Sequence, residues 1–262
     1  MRIFQEPDLS STNTVLKSRL EARQYRRLPV ALTAEAQTAG RGVGRNVWCS
    51  DRGANALFSL AFRPTFLLAE HQFLLNMALS LSMLHTLEAW ARERRLPSDG
   101  FHLKWPNDLY VNEKKLGGIL FEVSVMGERC AWAVMGVGVN VNQRVFPPEL
   151  PNPAALCTLT DTAAPLDMPA LRQTFIRRAA RDYRRLERRL RHRTSAALLP
   201  RYKEAYLKRL LFFGQERTYI CMGERMRARL TGVDDYGQAL VVAADGRRFS
   251  CGLKELQYVF GS

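Results

Sequence analysis

The residues most able to do chemistry lie in segment 104–118, KWPNDLYVNEKKLGG. Pro106 donates no ladder hydrogen bond and biases Trp105 toward extended geometry, while Asn107 and Asp108 are residue types whose side chains close turns, so a strand is expected to end near Trp105. Apolar runs 109–111 and 115–123 flank the polar residues 112–114, the pattern of a hairpin. Lys115 opens the returning strand, and simple alternation puts Lys115, Gly117 and Ile119 on one face and Leu116, Gly118 and Leu120 on the other. On that reading Gly117 leaves a space beside the lysine. An ammonium beside a vacancy, opposite a turn that carries a carboxamide and a carboxylate, can hold an anion and a metal with it. The plainer alternative is a tight hairpin with a solvated lysine pair.

A second cluster strengthens the anion reading. Segment 37–50, QTAGRGVGRNVWCS, interleaves Gly40, Gly42 and Gly44 with Arg41, Val43 and Arg45. Backbone N–H groups of such a loop can approach an anionic ligand closely while guanidinium groups neutralise it. Ordering the loop costs conformational entropy, so mobility without ligand is expected. It is neither a Walker loop, which needs Gly-Lys-Ser/Thr, nor a dinucleotide fingerprint, because no helical pattern follows. Trp48 reads equally as the cover of a flat ring or as a half-buried core residue. Gly136 and Gly138, in a run ending at Asn140, mark a strand that a ligand or another backbone approaches. Ser11, Thr12 and Asn13 precede the helical pattern Val15, Leu16, Arg19, Leu20 and read as a helix N-cap whose hydroxyls can also face a polar ligand.

Positioning these residues takes a scaffold of mixed type. Strand-like runs occupy 30–34, 56–62, 102–105, 115–123 and 131–139, and helical patterns occupy 12–22, 69–95, 168–193 and a stretch near 196–207. The mixture suggests an α+β fold, a mainly antiparallel sheet backed by helices. From about residue 211, short strands at 217–221, 225–233, 239–243 and 247–251 alternate with turns and read as a small β-barrel. The expected division is 1–208 for the domain bearing the site and 209–262 for the small β domain.

Composition narrows the classes. With 47% hydrophobic and 10% aromatic residues the chain can bury a full core. No apolar stretch reaches the roughly 20 residues that span a bilayer, and the start MRIFQEPDLSS lacks the apolar region of a secretory signal. The five cysteines form no Cys-x-x-Cys pair, so reduced thiols in a cytoplasm and no zinc site are expected. A net charge of +14 raises nucleic-acid binding without catalysis as a competing function. Much of the excess lies in 172–193, where ten arginines face only Asp182 and Glu187 while Leu171, Phe175, Ala179, Tyr183, Leu186 and Leu190 recur at helical spacing. That is an amphipathic helix with a cationic outer face, read first as solvated surface and second as a polyanion site or a surface that steers an acidic partner.

Taken in order, Ser11-Thr12-Asn13, the string QTAGRG at 37–42, Trp48 with Ser50, Gly53 with Asn55, KWPND at 104–108, KLGGIL at 115–120 and GVGVNVN at 136–142 resemble the motifs of biotin protein ligases. The resemblance runs from about residue 6 to residue 160 and resumes near the C-terminus. It implies a class II synthetase-like catalytic domain followed by an SH3-like domain. It also implies that the biotin carboxylate attacks the α-phosphate of ATP with Mg²⁺ present, and that biotinyl-5′-AMP then passes its acyl group to a lysine of a biotin carboxyl carrier protein. By the same resemblance Lys115 touches the carboxyl and the α-phosphate, Arg41 contacts both from the closing loop, and Asp108 serves as metal ligand or as base for the incoming lysine. The implied biotin set is Ser11, Thr12, Asn13, Gln37, Gly40, Arg41, Lys115, Gly117 and Gly136. The implied nucleotide set is Arg41, Gly42, Val43, Trp48, Asn107, Lys115 and Asn140. One departure stands out: many members carry Gly-Arg-Gly-Arg in the loop, whereas Val43 holds the fourth position here, and Arg45 is expected to substitute in part. Members that also repress transcription carry an N-terminal helix-turn-helix. With its first motif at Ser11 this chain is expected to be of the monofunctional type, without specific DNA binding, as monomer or homodimer. A lipoate or octanoate ligase or transferase of the same fold is the alternative enzyme, and it would need a long narrow acyl tunnel.

Overall fold

The computed structural model describes residues 1–44, 46–160 and 162–260. Its first sheet is built from β1 (Arg2–Leu9), β2 (Val30–Gln37), β3 (Ala56–Phe62), β4 (Phe101–Lys104), β5 (Asp108–Val111), β6 (Lys114–Met126) and β7 (Arg129–Val139). The spatial order is β1-β2-β3-β7-β6-β5-β4, antiparallel except for the parallel pair β1 and β2. The helices are α1 (Thr12–Glu21), α2 (Phe73–Glu93), α3 (Met168–Leu190) and α4 (Ser195–Leu207). The expected α+β architecture with a mainly antiparallel sheet is borne out.

Two faces of the sheet receive different cover. Phe58 of β3 packs toward α3, with its ring 6.2 Å from that of Phe175, while Ala61 of the same strand packs with Leu16 of α1. Alternation then explains why all seven residues of β3 are buried. The α2 sequence buries residues all round because the sheet, α3 and α4 enclose it. A separate 3-10 turn at Ala69–His71 precedes it, so the single helix expected over 69–95 starts late. Helix α3 opens with Asp167 accepting from the Ala170 N–H, and Pro169 sits in its first turn. Its one buried arginine, Arg172, donates to Ala34 O at 3.1 Å and to the Glu35 carboxylate at 3.0 Å, so one of the ten expected surface cations instead ties α3 to β2.

Strand β1 was absent from the sequence reading. It is a polar edge strand containing Pro7, and it gains its place only by pairing with β2 across the crossover helix α1.

The second sheet contains β8 (Glu216–Cys221), β9 (Glu224–Val233), β10 (Ala239–Ala243), β11 (Arg248–Cys251) and β12 (Leu256–Tyr258), ordered β11-β10-β9-β8-β12 and antiparallel throughout. It agrees with the expected C-terminal β domain, with β12 as an added strand. Segment 209–211 is laced to β4 by Leu103 N–H to Arg209 O and Leu211 N–H to Leu103 O, both 2.8 Å. Trp105 Nε1 donates to Gly237 O at 3.0 Å, so the Trp-Pro-Asn-Asp corner abuts the second sheet. Among the described residues no helix is long and apolar enough to cross a membrane.

Candidate active-site cleft

The cleft lies on the α1 side of the first sheet, and its geometry depends on one irregularity. Leu109 pairs with Gly117 but Tyr110 pairs with Lys115, so Leu116 is an extra residue on β6. This β-bulge breaks the simple alternation and brings Lys115 onto the face of Gly118 rather than that of Gly117. Lys115 thus shares its face with Gly118, not with Gly117 as alternation alone predicts. A Cβ on Gly118 would lie 3.8 Å from Lys115 Cε and 3.2 Å from Asp108 Oδ1, whereas one on Gly117 would press into Gly138 O at 2.6 Å. Gly118 marks the space beside the lysine, and Gly117 is small because another strand's backbone approaches it.

Lys115 Nζ donates to Asp108 Oδ2 at 2.7 Å, with both side chains half-buried. Gly118 and Gly138 face one another across β6 and β7 and form a flat floor on which the Trp48 indole lies. A Cβ on Gly138 would fall 2.7 Å from Trp48 Nε1 and 2.8 Å from Cζ2, so only glycine admits the ring. The indole Nε1 is buried without a hydrogen-bond partner. Trp48 is held from below as well: its N–H donates to Gly40 O at 3.0 Å, and its carbonyl packs against Gly40, leaving no room there for a Cβ.

The polar end of the cleft is built at the start of α1. Ser11 is the N-cap of α1, with extended geometry and its carbonyl accepting from the Val15 N–H at 3.0 Å, but its side chain makes no capping bond. Thr12 instead gives its N–H and Oγ1 to Gln37 Oε1 at 2.7 and 3.1 Å, and Ser59 Oγ donates to Thr12 Oγ1 at 2.8 Å. Asn13 Oδ1 lies over Gly136, where a Cβ would come within 2.8 Å. The Asn13 amide donates to Glu122, which also lies 3.4 Å from Lys17 and 3.5 Å from Arg41. Glu122 was missed by the sequence reading, although the alternation Gly118, Leu120, Glu122 along β6 already pointed it at this face. Arg41 is therefore held by Glu122 and by Thr14 Oγ1 at 3.5 Å, at the opposite end of the cleft from Asp108.

Not every expected residue reaches the cleft. Asn140 is buried, donates to Ala154 O at 3.0 Å and pins segment 154–156 to β7, so its side chain is spent on backbone. Asn107 is buried and faces a second cavity of ≈ 550 Å³ between the two sheets. That cavity adjoins the cleft, which encloses ≈ 130 Å³, and Val43 borders both. Gly42 lines the cleft with Arg41. Arg45 lies outside the described residues. Lys104, opposite Asp108 in the β4 and β5 register, sits with its ammonium 4.9 Å from the Tyr258 ring centroid. Burial pushes the Lys104 ammonium pKa down, Asp108 offsets part of this, and Lys115 adds to the lowering. Among the described residues no three His, Cys, Asp or Glu side chains gather as a metal site.

The whole arrangement has the fold of solved biotin protein ligases. The structure of the Aquifex aeolicus ligase in complex with biotin and ATP superposes with a TM-score of 0.71 at 24% identity, covering 98% of this chain and 97% of that one. The sequence places the chain more firmly: it belongs to the Biotin/lipoate A/B protein ligase family, whose model matches residues 7–140. It is 30% identical over 210 residues to the Mycobacterium tuberculosis biotin–[acetyl-CoA-carboxylase] ligase, covering 80% of this chain and 71% of that protein. It is 31% identical over 175 residues to the bifunctional ligase/repressor BirA of Escherichia coli, covering 65% of this chain and 50% of that protein. Against the BirA of Bacillus spizizenii the match is 37% over 121 residues, 45% of this chain and 35% of that protein, so the chain spans between a third and a half of these two BirA relatives.

Proposed function

We propose that this protein is an ATP-dependent biotin ligase that forms biotinyl-5′-AMP and transfers biotin to a lysine of a biotin carboxyl carrier protein in the cytoplasm. The observation that carries the reading is the single cleft in which Lys115 and Asp108 meet the polar set Thr12, Asn13 and Gln37 across a glycine floor. A ureido ring has N–H donors and a carbonyl acceptor, and a buried amide and hydroxyl set is suited to it. A dithiolane ring has no such groups, which favours biotin over lipoate.

In the first step a carboxylate oxygen of biotin forms a bond to the α-phosphorus of ATP, and the bond from that phosphorus to the bridging oxygen breaks as pyrophosphate leaves. Two anions must meet, so cations aimed at the developing charge lower the barrier. Lys115 supplies one beside Gly118, and Arg41 supplies a second once it releases Glu122. Asp108 fixes the lysine by their 2.7 Å contact. In the second step the acceptor amine attacks the acyl carbon, AMP leaves, and in this reading Asp108 accepts the proton. Mg²⁺, which uses one or two carboxylates together with phosphate oxygens, is compatible with the lone Asp108 carboxylate, and when bound it neutralises triphosphate charge.

The cleft of ≈ 130 Å³ lies below the roughly 300 Å³ of small-ligand sites, and Trp48 over Gly138 forms part of its wall. Residues 1–208 form the catalytic unit in this reading, with 209–262 closing over the nucleotide end.

Labelling of an apo carrier domain tests the proposal. Incorporation must depend on both ATP and biotin, and Lys115→Ala should reduce it by about 100-fold or more, as for loss of one charge-stabilising donor. Intact labelling by that variant would remove Lys115 from its role, and labelling with lipoate in preference to biotin would overturn the substrate.

A further inference from the structure

Among the described residues the cations of the cleft are already matched with carboxylates: Lys115 with Asp108 at 2.7 Å and Arg41 with Glu122 at 3.5 Å. Position 43 of the glycine loop, which borders both cavities, offers only an isopropyl group. Among the described residues a triphosphate laid from the cleft toward the second cavity would thus meet little uncommitted positive charge from the first sheet.

The second sheet supplies it. Lys254 lies in the turn between β11 and β12, at φ +72°, and its side chain runs to the tip of the loop. A Cβ at Gly44 would come within 2.7 Å of Lys254 Cε and would also strike Nζ, so the loop tip and the lysine are in contact. The turn is shaped to free this ammonium. Glu255, its neighbour, accepts instead from the Gly252 N–H at 2.6 Å, and the Glu255 N–H returns to Gly252 O at 3.1 Å.

Every other acidic residue from Glu216 onward is engaged elsewhere. Glu216 pairs with Arg227 and Arg229, Glu224 and Asp245 with Arg247, and Asp235 with Lys203, while Asp234 accepts from the backbone of its own turn. Gly252 and Leu253 line the second cavity, which places Lys254 at its rim, where Val43 and Gly44 separate it from the cleft.

We propose that Lys254 binds the β- and γ-phosphate oxygens of ATP, as the cation that the loop lacks at position 43. The inference rests on the ligase reading above and concerns the triphosphate alone. Its ammonium holds the terminal phosphates while the α-phosphate stays beside Lys115, and it then retains pyrophosphate until the loop opens. An exposed lysine on a four-carbon stem suits this task, because it can follow the phosphates as the loop moves.

Biotin-dependent exchange between ATP and pyrophosphate tests the assignment on the full chain. Lys254→Gln should raise KM for ATP and for pyrophosphate by about five- to tenfold, the effect of losing one charge-assisted contact. The KM for biotin and the affinity for biotinyl-5′-AMP, which has no β- or γ-phosphate, should stay within about twofold of the parent, and Lys254→Arg should restore the ATP value. A KM for ATP unchanged in Lys254→Gln overturns the assignment and leaves the ligase reading standing. An equal loss of adenylate affinity also overturns it, since it would mean that the lysine only props the loop. A parent chain without biotin-dependent exchange overturns the ligase reading and the assignment with it.

Discussion

Adding one methyl group at Gly138 should destabilise this protein through a residue ninety positions away. The new Cβ would lie 2.7 Å from Trp48 Nε1 and 2.8 Å from Cζ2, well inside van der Waals contact. The ring cannot retreat freely, because its backbone is tied to Gly40 O at 3.0 Å. Overpacking of this kind costs about 1–3 kcal/mol. Replacing glycine also removes freedom from the unfolded chain, which returns about 0.4–1 kcal/mol. Gly138→Ala should therefore cost up to about 2.6 kcal/mol, and at about 2–4 °C per kcal/mol for a chain of this size the melting temperature should fall by up to about 10 °C. The decisive comparison is the same change in a Trp48→Ala background. With the indole gone only the unfolded-state gain remains, so Gly138→Ala becomes neutral or stabilising by about 0.5 kcal/mol. Thermal melts of the parent, both single variants and the double variant complete the cycle. Additivity within about 0.5 kcal/mol would refute the contact as the cause.

Asn140→Ala should cost about 1–3 kcal/mol, because it leaves buried Ala154 O without its donor. It should leave KM for ATP unchanged, and a raised KM with normal stability would return Asn140 to the nucleotide site. The pH dependence of stability has a traceable source in His85. Its pKa lies below 6.5 because burial disfavours the imidazolium, with Arg178 and Arg209 adding to the effect and Asp182 opposing it. Below pH 6.5 the unfolded chain then binds more protons at this site than the folded one, so stability falls as the pH drops through that window. His85→Gln should flatten the fall in melting temperature as the pH drops below 6.5, and an unchanged slope would exclude His85 as the source.

The sequence by itself determined the periodic elements and the residue types of the cleft. The strands at 56–62 and 239–243 were expected to the residue, and the four helices within a few positions, because buried alternation and helical spacing are local patterns. Gly136 and Gly138 are legible as places of close approach, whereas Gly117 reads as empty space beside the lysine. What approaches each is not legible. Asn13 covers Gly136, Trp48 covers Gly138, and the backbone of β7 crowds Gly117, three neighbours brought in from distant parts of the chain. The bulge at Leu116 was equally invisible, because it is a mismatch in register between β5 and β6 rather than a property of either strand. Strand β1 escaped for the same reason, since its polar residues become a strand only against β2. Lys254 carries no local signal of chemistry and Glu122 only its place in the β6 alternation, and folding sets one against the loop tip and the other against Arg41. Residue type and spacing record what a segment can do, whereas the partner that makes it act is chosen by contacts between segments far apart in sequence, and only the packed structure decides those.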